Sequence, residues 1–312
     1  MKRLLELREK YQNGTLSKAD YIDQAHEIHR LLFAYPEFMR SSGITKIEIT
    51  DSDVIFTSAK HGIKYYGDPQ DKRIIPIEIL NLGRYEEAEL ELMLRLLKSC
   101  RTVVDIGGNV GWFVMNAARA YPEKAFYAFE PVPKTYDYLL RNLTLNKIDT
   151  IHTYNLAVAE TDKEITMYYY PECSANASAQ NVSGTTHAAQ MVCRAVSLDS
   201  FAAKHKLKID FIKCDIEGAE LFAFKGAVRI LKQDRPMVFS EILRKWSAKF
   251  GYHPNDLLDF FAGLGYDCFV IADRALKRFS RVTENTVETN YIFLHTEQHA
   301  QVIARAGERP PA

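Results

Sequence analysis

Two acids frame the segment with the clearest chemistry. Asp105 closes the apolar run Thr102-Val103-Val104-Asp105-Ile106 and leads into Gly107-Gly108-Asn109-Val110-Gly111, a turn that opens a helix. Glu130, 25 residues on, closes the next apolar run, Ala125-Phe126-Tyr127-Ala128-Phe129. A glycine turn between a strand and a helix lies at the carboxyl edge of a parallel sheet, where open α/β sheets bind ligands. The dinucleotide pattern G-x-G-x-x-G fails, because Ile106 stands where its first glycine belongs. What remains is D-x-G-x-x-x-G. An acid at Asp105 repels a pyrophosphate but suits a ligand with an amino group and a sulfonium. A carboxylate at Glu130 can accept hydrogen bonds from both hydroxyls of a ribose. Acid, glycine turn and second acid together describe a pocket for S-adenosylmethionine.

A second cluster follows at Lys213-Cys214-Asp215-Ile216-Glu217-Gly218-Ala219-Glu220. Asp215 ends a strand and projects into the ligand crevice. Glu217 and Glu220 fall in the first turns of the next helix, where acids stabilise the N-terminus by ~0.3–1 kcal/mol each; Glu220 is expected to be partly structural. Glu241 ends the strand after that. Cys214 reads as buried strand filler.

These acids need a doubly wound scaffold. Strand-like runs at 102–106, 125–130, 151–158, 209–214 and 237–242 alternate with helical runs near 111–120, 133–145, 217–232 and 254–264. That alternation means right-handed βαβ units and a parallel sheet. Runs 267–272 and 290–295 lack an intervening helix and are expected to pair antiparallel at one edge. Residues 161–197 break the rhythm with a strand holding Tyr168, Tyr169 and Tyr170, a small polar loop, and a second strand. Before the sheet, 1–40 read as helical, with Ser17 as a cap, and 44–50 with 54–58 as a hairpin; Arg84 to Lys98 reads as one helix. The expected division is 1–80 as an N-terminal α+β extension, 81–296 as the catalytic domain and 297–312 as a flexible tail.

Composition narrows the class. The chain has 312 residues with 40 Lys plus Arg and 40 Asp plus Glu, so its formal net charge is zero. That argues against a whole-protein field for nucleic acid or an anionic membrane. Five cysteines without a C-x-x-C pair argue against a disulfide framework or a structural zinc site. No apolar run approaches the ~20 residues of a membrane span, and the charged start lacks the apolar stretch of a signal peptide. The expected location is the cytoplasm.

The sequence resembles the FkbM-type family of class I S-adenosylmethionine-dependent methyltransferases. The carrying motifs are VVDIGGNVGW at 103–112, FEPVP at 129–133, NLAV at 155–158, Ser197-Leu198-Asp199, IDFIKCDIEGAELFAFKGA at 209–227 and MVFSEI at 237–242, with Tyr85-Glu86 ahead of them. The resemblance implies a Rossmann-like, mostly parallel seven-stranded sheet with an antiparallel edge pair. It implies cofactor contacts at Tyr85, Asp105, Gly107, Asn109, Gly111, Glu130, Pro131 and Ala157. The implied reaction is direct displacement by an acceptor oxygen of a sugar, glycan or secondary metabolite; a nucleoside-binding module without catalysis is the alternative. A hydroxyl is a weak nucleophile, so Asp215, Glu217 and Glu241 are candidates for a general base or for positioning. Asp215 and Glu241 are alternatively ligands of a Mg²⁺ that lowers the hydroxyl pKa. His187, in the polar loop, could be a base brought in by closure. His26 and His29, three apart on a helix, have no visible third ligand. Tyr168 to Tyr170 could stack on a sugar or pack a strand. The acceptor is expected to be a small molecule or glycan, the loop at 172–190 to close over it, and the 1–80 extension to form one wall or a contact between copies.

Overall fold

The computed structural model describes residues 2–182, 184, 188–272 and 275–306; His187 lies outside them. Helices α1 (Lys2–Gln12) and α2 (Lys18–Met39) form a hairpin. Ser17 starts α2 by accepting the Asp20 amide at 3.1 Å. Strands β1 (Ile44–Ile49) and β2 (Val54–Ser58) make the expected hairpin, and β3 (Lys64–Tyr66) extends it to three antiparallel strands. The helix expected at 84–98 is α4 (Glu87–Leu96); α3 (Ile75–Leu82), which was not expected, precedes it, and Gly83 and Glu86 with left-handed φ of 81° and 43° separate the two.

The wound region runs β4 (Thr102–Ile106), α5 (Trp112–Ala120), β5 (Ala125–Phe129), α6 (Pro133–Asn146) and β6 (Ile151–Tyr154). An insert of β7 (Ala157–Val158), β8 (Lys163–Tyr169) and β9 (Ala189–Val196) comes next. After it come α7 (Leu198–His205), β10 (Phe211–Cys214), α8 (Glu220–Lys225), α9 (Val228–Gln233) and β11 (Met237–Glu241). The chain closes with α10 (Arg244–Ser247), α11 (Pro254–Ala262), β12 (Tyr266–Ala272), β13 (Ala275–Arg278), β14 (Asn290–His295) and α12 (Ala300–Ala304).

Among the described residues the main sheet has eight strands, in the order β13-β12-β14-β11-β10-β4-β5-β6. The seven expected strands are all present, and β13 adds an eighth at the edge. Pairs from β11 through β6 are parallel, while β14 is antiparallel to both β11 and β12. The architecture is the Rossmann-like, mostly parallel sheet with an antiparallel edge that the sequence led one to expect. Strand order reverses at β4 and β10, which sets the ligand crevice at their carboxyl ends. The expected strand 151–158 divides, because residues 157–158 leave the main sheet to pair with β9.

Strand alternation sorts the core into two layers. Val103, Phe126, Phe211 and Phe239 pack into one cluster; Val104, Ile106, Phe129, Ile212 and Val238 pack into the other. With a side-chain period of two, Asp105, Lys213 and Glu241 project toward the first layer. That layer also contains Ile44, Phe56, Tyr65, Ile75 and Ile79. Buried side chains between 44 and 80 therefore share a core with the sheet. Val302, Ile303 and Ala306 pack against the same cluster, so 300–306 hold a docked helix where a flexible tail was expected. No helix among the described residues is long and apolar enough to cross a membrane.

Candidate active site

The carboxyl ends of β4, β5, β10 and β11 open into a cavity of about 370 Å³, within the usual range for ligand sites. Its wall includes Tyr85, Asp105, Gly107, Asn109, Glu130, Pro131, Asp215, Glu217 and Glu241, nine of the eleven residues expected there. Ala157 lines an adjoining apolar slot of about 30 Å³ together with Ile106, Phe129, Leu156 and Ile216; Gly107, Pro131, Met167 and Ile216 border both spaces. Gly111 lies behind the wall. Its φ is 96°, and a Cβ there would stand 2.7 Å from Leu139 Cδ1.

Asp105 is 1% exposed, and neither carboxylate oxygen has a hydrogen-bond partner. Burial pushes its pKa up to about 6 against the opposing pull of Lys213. A buried carboxylate that takes no hydrogen bond and has only the Lys213 ammonium at 3.6 Å can still accept from an N–H group of a ligand. Glu130, 6% exposed, takes the Asn109 amide on Oε2 at 3.0 Å and the Val132 amide on Oε1 at 2.9 Å. Burial raises it to about 7 despite those two donors. Each oxygen keeps a lone pair, so Glu130 can still accept from a ligand while it fixes the turn. Asn109 holds φ at 48° and accepts the Val110 amide on its side chain.

Gly107 is a glycine for a reason different from the expected approach of a ligand. Its φ is 82°, and a Cβ would fall 2.0 Å from the Asp215 carbonyl oxygen. The turns after β4 and β10 touch at this point.

Lys213 is the residue that sequence reasoning did not single out. It pairs in register with Asp105 across β4 and β10. Its Nζ stands 3.2 Å from Asp215 Oδ2, 3.6 Å from Asp105 Oδ1 and 3.2 Å from the Gly107 carbonyl. Burial works against its charge, but Asp215 and Asp105 outweigh that and hold it an ammonium. The signal was a lone lysine inside the apolar strand Phe211-Ile212-Lys213-Cys214, a position that requires a partner. Glu86 was also missed as a side chain of the wall. It lines the cavity, and burial followed by Asp215 raises it to about 7.

Burial and then the neighbouring Asp215 push both Glu217 and Glu241 upward. Glu217 has φ 58°, and its Oε2 is buried without a partner. Strained backbone and perturbed carboxyls gathered in one cavity mark a functional site. The donors do not fit the Mg²⁺ reading: Lys213 already occupies the cation position beside Asp215. Among the described residues no group of three or more His, Cys, Asp or Glu is placed to hold a metal. Glu220 is structural as expected, accepting the amides of Ile216 and Gly218 and the hydroxyl of Tyr252.

The mouth is built by segments distant in sequence. Ser174 to Ala177 line the cavity, opposite Arg73 and Ile75. Asp71, 3% exposed, joins the two sides: its Oδ2 accepts the Ser174 amide at 3.0 Å and hydroxyl at 2.5 Å, and its Oδ1 accepts the Arg73 amide at 2.9 Å. Tyr168, Tyr169 and Tyr170 are absent from the lining. They belong to the insert, where Tyr170 donates to Asn181 at 2.7 Å. His26 and His29 lie on α2, outside the cavity lining.

The sequence profile of the Methyltransferase FkbM domain matches residues 105–268, just over half of the chain. The chain belongs to that family. The chain is 25% identical to Methyltransferase 1 of Beauveria bassiana (strain ARSEF 2860), over 40% of this chain and 57% of that protein. It is 28% identical to Methyltransferase sdnD of Sordaria araneosa, over 40% of this chain and 59% of that protein. The chain thus spans less than two thirds of the length of either relative. A solved structure of methyltransferase FkbM from Methylobacillus flagellatus KT aligns over 62% of this chain and 43% of that one, at 18% identity and a TM-score of 0.40. Residues 1–104, which include Asp71, Tyr85 and Glu86, precede the FkbM match.

Proposed function

We propose that the FkbM domain transfers a methyl group from S-adenosylmethionine to a hydroxyl of a sugar, glycan or secondary metabolite. The observation that carries this reading is the Asp105 carboxylate, free of hydrogen bonds beside the glycine turn, facing one cavity with Glu217 and Glu241. The cofactor, when bound, supplies a methyl made electrophilic by a sulfonium. Asp105 would hold its amino group, Glu130 its ribose hydroxyls, and the slot at Ala157 and Ile106 its adenine. Lys213, 3.2 Å from Asp215 Oδ2, holds that carboxylate in place. Glu241, at the end of β11, accepts the proton of the acceptor hydroxyl; burial and then Asp215 push its pKa up to about 9, which makes it a stronger base that ionises only above neutral pH. Glu217 is the second candidate for that role. Positioning and exclusion of water supply the rest, ~7–11 kcal/mol from positioning in well-oriented systems.

Ser174 to Ala177 and the segment around Arg73 would close over the acceptor. Six carboxylates line the cavity, a poor surface for a nucleic-acid backbone. Five unbridged cysteines suit a reducing cytoplasm. The test is mass spectrometry of products from labelled S-adenosylmethionine with a panel of glycans and hydroxylated metabolites. The expected outcome is S-adenosylhomocysteine released in step with a new O-methyl group. A methyl found on nitrogen or carbon refutes the hydroxyl reading. A nucleoside-binding module without catalysis would bind cofactor and release no product.

A further inference from the structure

The hairpin of α1 and α2 leaves one long helix almost bare. α2 has 22 residues, about 33 Å at 1.5 Å per residue. Its first half is covered by α1: Leu7 and Ala25 are buried, and Tyr11 stacks on Tyr21 at 5.0 Å. Its second half is not covered, since every residue from 29 to 38 is exposed. That stretch is Leu31-Leu32-Phe33-Ala34-Tyr35 among others, with Leu31 67% and Phe33 75% exposed. Ile28, Leu31, Tyr35 and Phe38 recur at the 3–4-residue spacing of a coiled-coil seam. Beside the seam runs an apolar groove of about 850 Å³ between α2 and the β1–β2 face, lined by Leu32, Pro36, Met39, Ile49, Val54 and Ile77.

We propose that this face is the interface with a second copy of the chain, formed by two α2 helices packed antiparallel about a two-fold axis. Three observations select that occupant. The seam has the period that a partner helix reads, and the protruding side chains of one copy meet the groove of the other, as an isologous contact requires. Two helices crossing antiparallel at residues 33–34, the middle of the bare stretch, set the Glu27–Arg30 pair of one copy opposite Arg40 and Glu37 of the other, so that unlike charges face each other. Finally, exposed Leu31, Leu32, Phe33, Tyr35 and Phe38 together with the groove beside them form a contiguous apolar surface of the kind that marks a protein–protein contact.

Sedimentation of the full chain, with light scattering across concentrations, reads the result directly. The wild type should run at twice the 35.7 kDa chain mass at micromolar concentration. The double variant Leu31→Glu, Phe38→Glu should run as a folded monomer, with wild-type S-adenosylhomocysteine affinity by calorimetry. That affinity reports the cofactor site separately, so the interface and the proposed chemistry succeed or fail independently. A wild type that is monomeric at 50-fold higher concentration than the ~1 μM expected of such an interface overturns the proposal. So does a dimer that survives both substitutions, or a monomer that floats with anionic phosphatidylserine vesicles.

Discussion

Replacing Lys213 with Met removes one ammonium and keeps most of the stem's apolar volume. The ammonium faces Asp215 at 3.2 Å and Asp105 at 3.6 Å, and Asp105 has no hydrogen-bond donor to fall back on. Removing one partner of a buried ion pair costs about 3–5 kcal/mol, because the charge left behind is uncompensated. The loss must depend on pH. Asp105 already titrates near 6 in the folded chain, against 3.8 unfolded. A carboxyl raised in this way binds its proton more tightly when folded, so its effect is to lower stability as pH rises through that window. Without Lys213 the folded pKa climbs further and the window widens upward. Lys213→Met should therefore be destabilised by about 3–5 kcal/mol at pH 8 and by less than half of that at pH 5, where Asp105 is protonated. Urea unfolding at the two pH values measures both gaps. A gap that is equal at both, or below about 1 kcal/mol at pH 8, would refute the reasoning that Lys213 is there to compensate these acids.

Three further outcomes follow from the same geometry. Glu130→Ala should weaken S-adenosylmethionine binding by about 1–3 kcal/mol in calorimetry, since it removes charge-assisted acceptors and frees the Asn109 turn; unchanged affinity removes Glu130 from the cofactor role. Glu241→Gln should lower kcat by ~10²–10⁴ with cofactor affinity intact. The wild-type rate should rise with pH through the raised pKa of Glu241, a limb that the variant lacks and that EDTA leaves unaltered. Asp71→Ala breaks both bonds to Ser174, so hydrogen exchange should accelerate about tenfold or more at 172–178 while the turn at 105–111 keeps its protection; equal protection at 172–178 would show that Asp71 does not hold the mouth.

The parallel sheet and its glycine turn are legible in the sequence because each strand is a short apolar run ended by a polar side chain at the crevice. Asp105, Glu130, Asp215 and Glu241 announce themselves in this way. The period of two also places Lys213 beside Asp105, but only once the register of β4 and β10 is known, and register between distant strands is not written locally. The same limit hides Asp71: its bonds to Ser174 span 103 residues. Gly107 shows a reading that found the right residue for a different reason, since the carbonyl of Asp215, from another βα unit, is what excludes a side chain. The break at 154–157 falls at Asn155, a residue depleted in strands, but only the pairing with β9 shows that the end of the run leaves the main sheet.

Calorimetric titration of S-adenosylhomocysteine into the wild-type chain, with NADH titrated in parallel, tests the central claim most directly. A single site per chain for S-adenosylhomocysteine, lost or severely weakened in Asp105→Ala, with no heat from NADH, is the predicted result. No binding of S-adenosylhomocysteine, or saturable binding of NADH in its place, would contradict it.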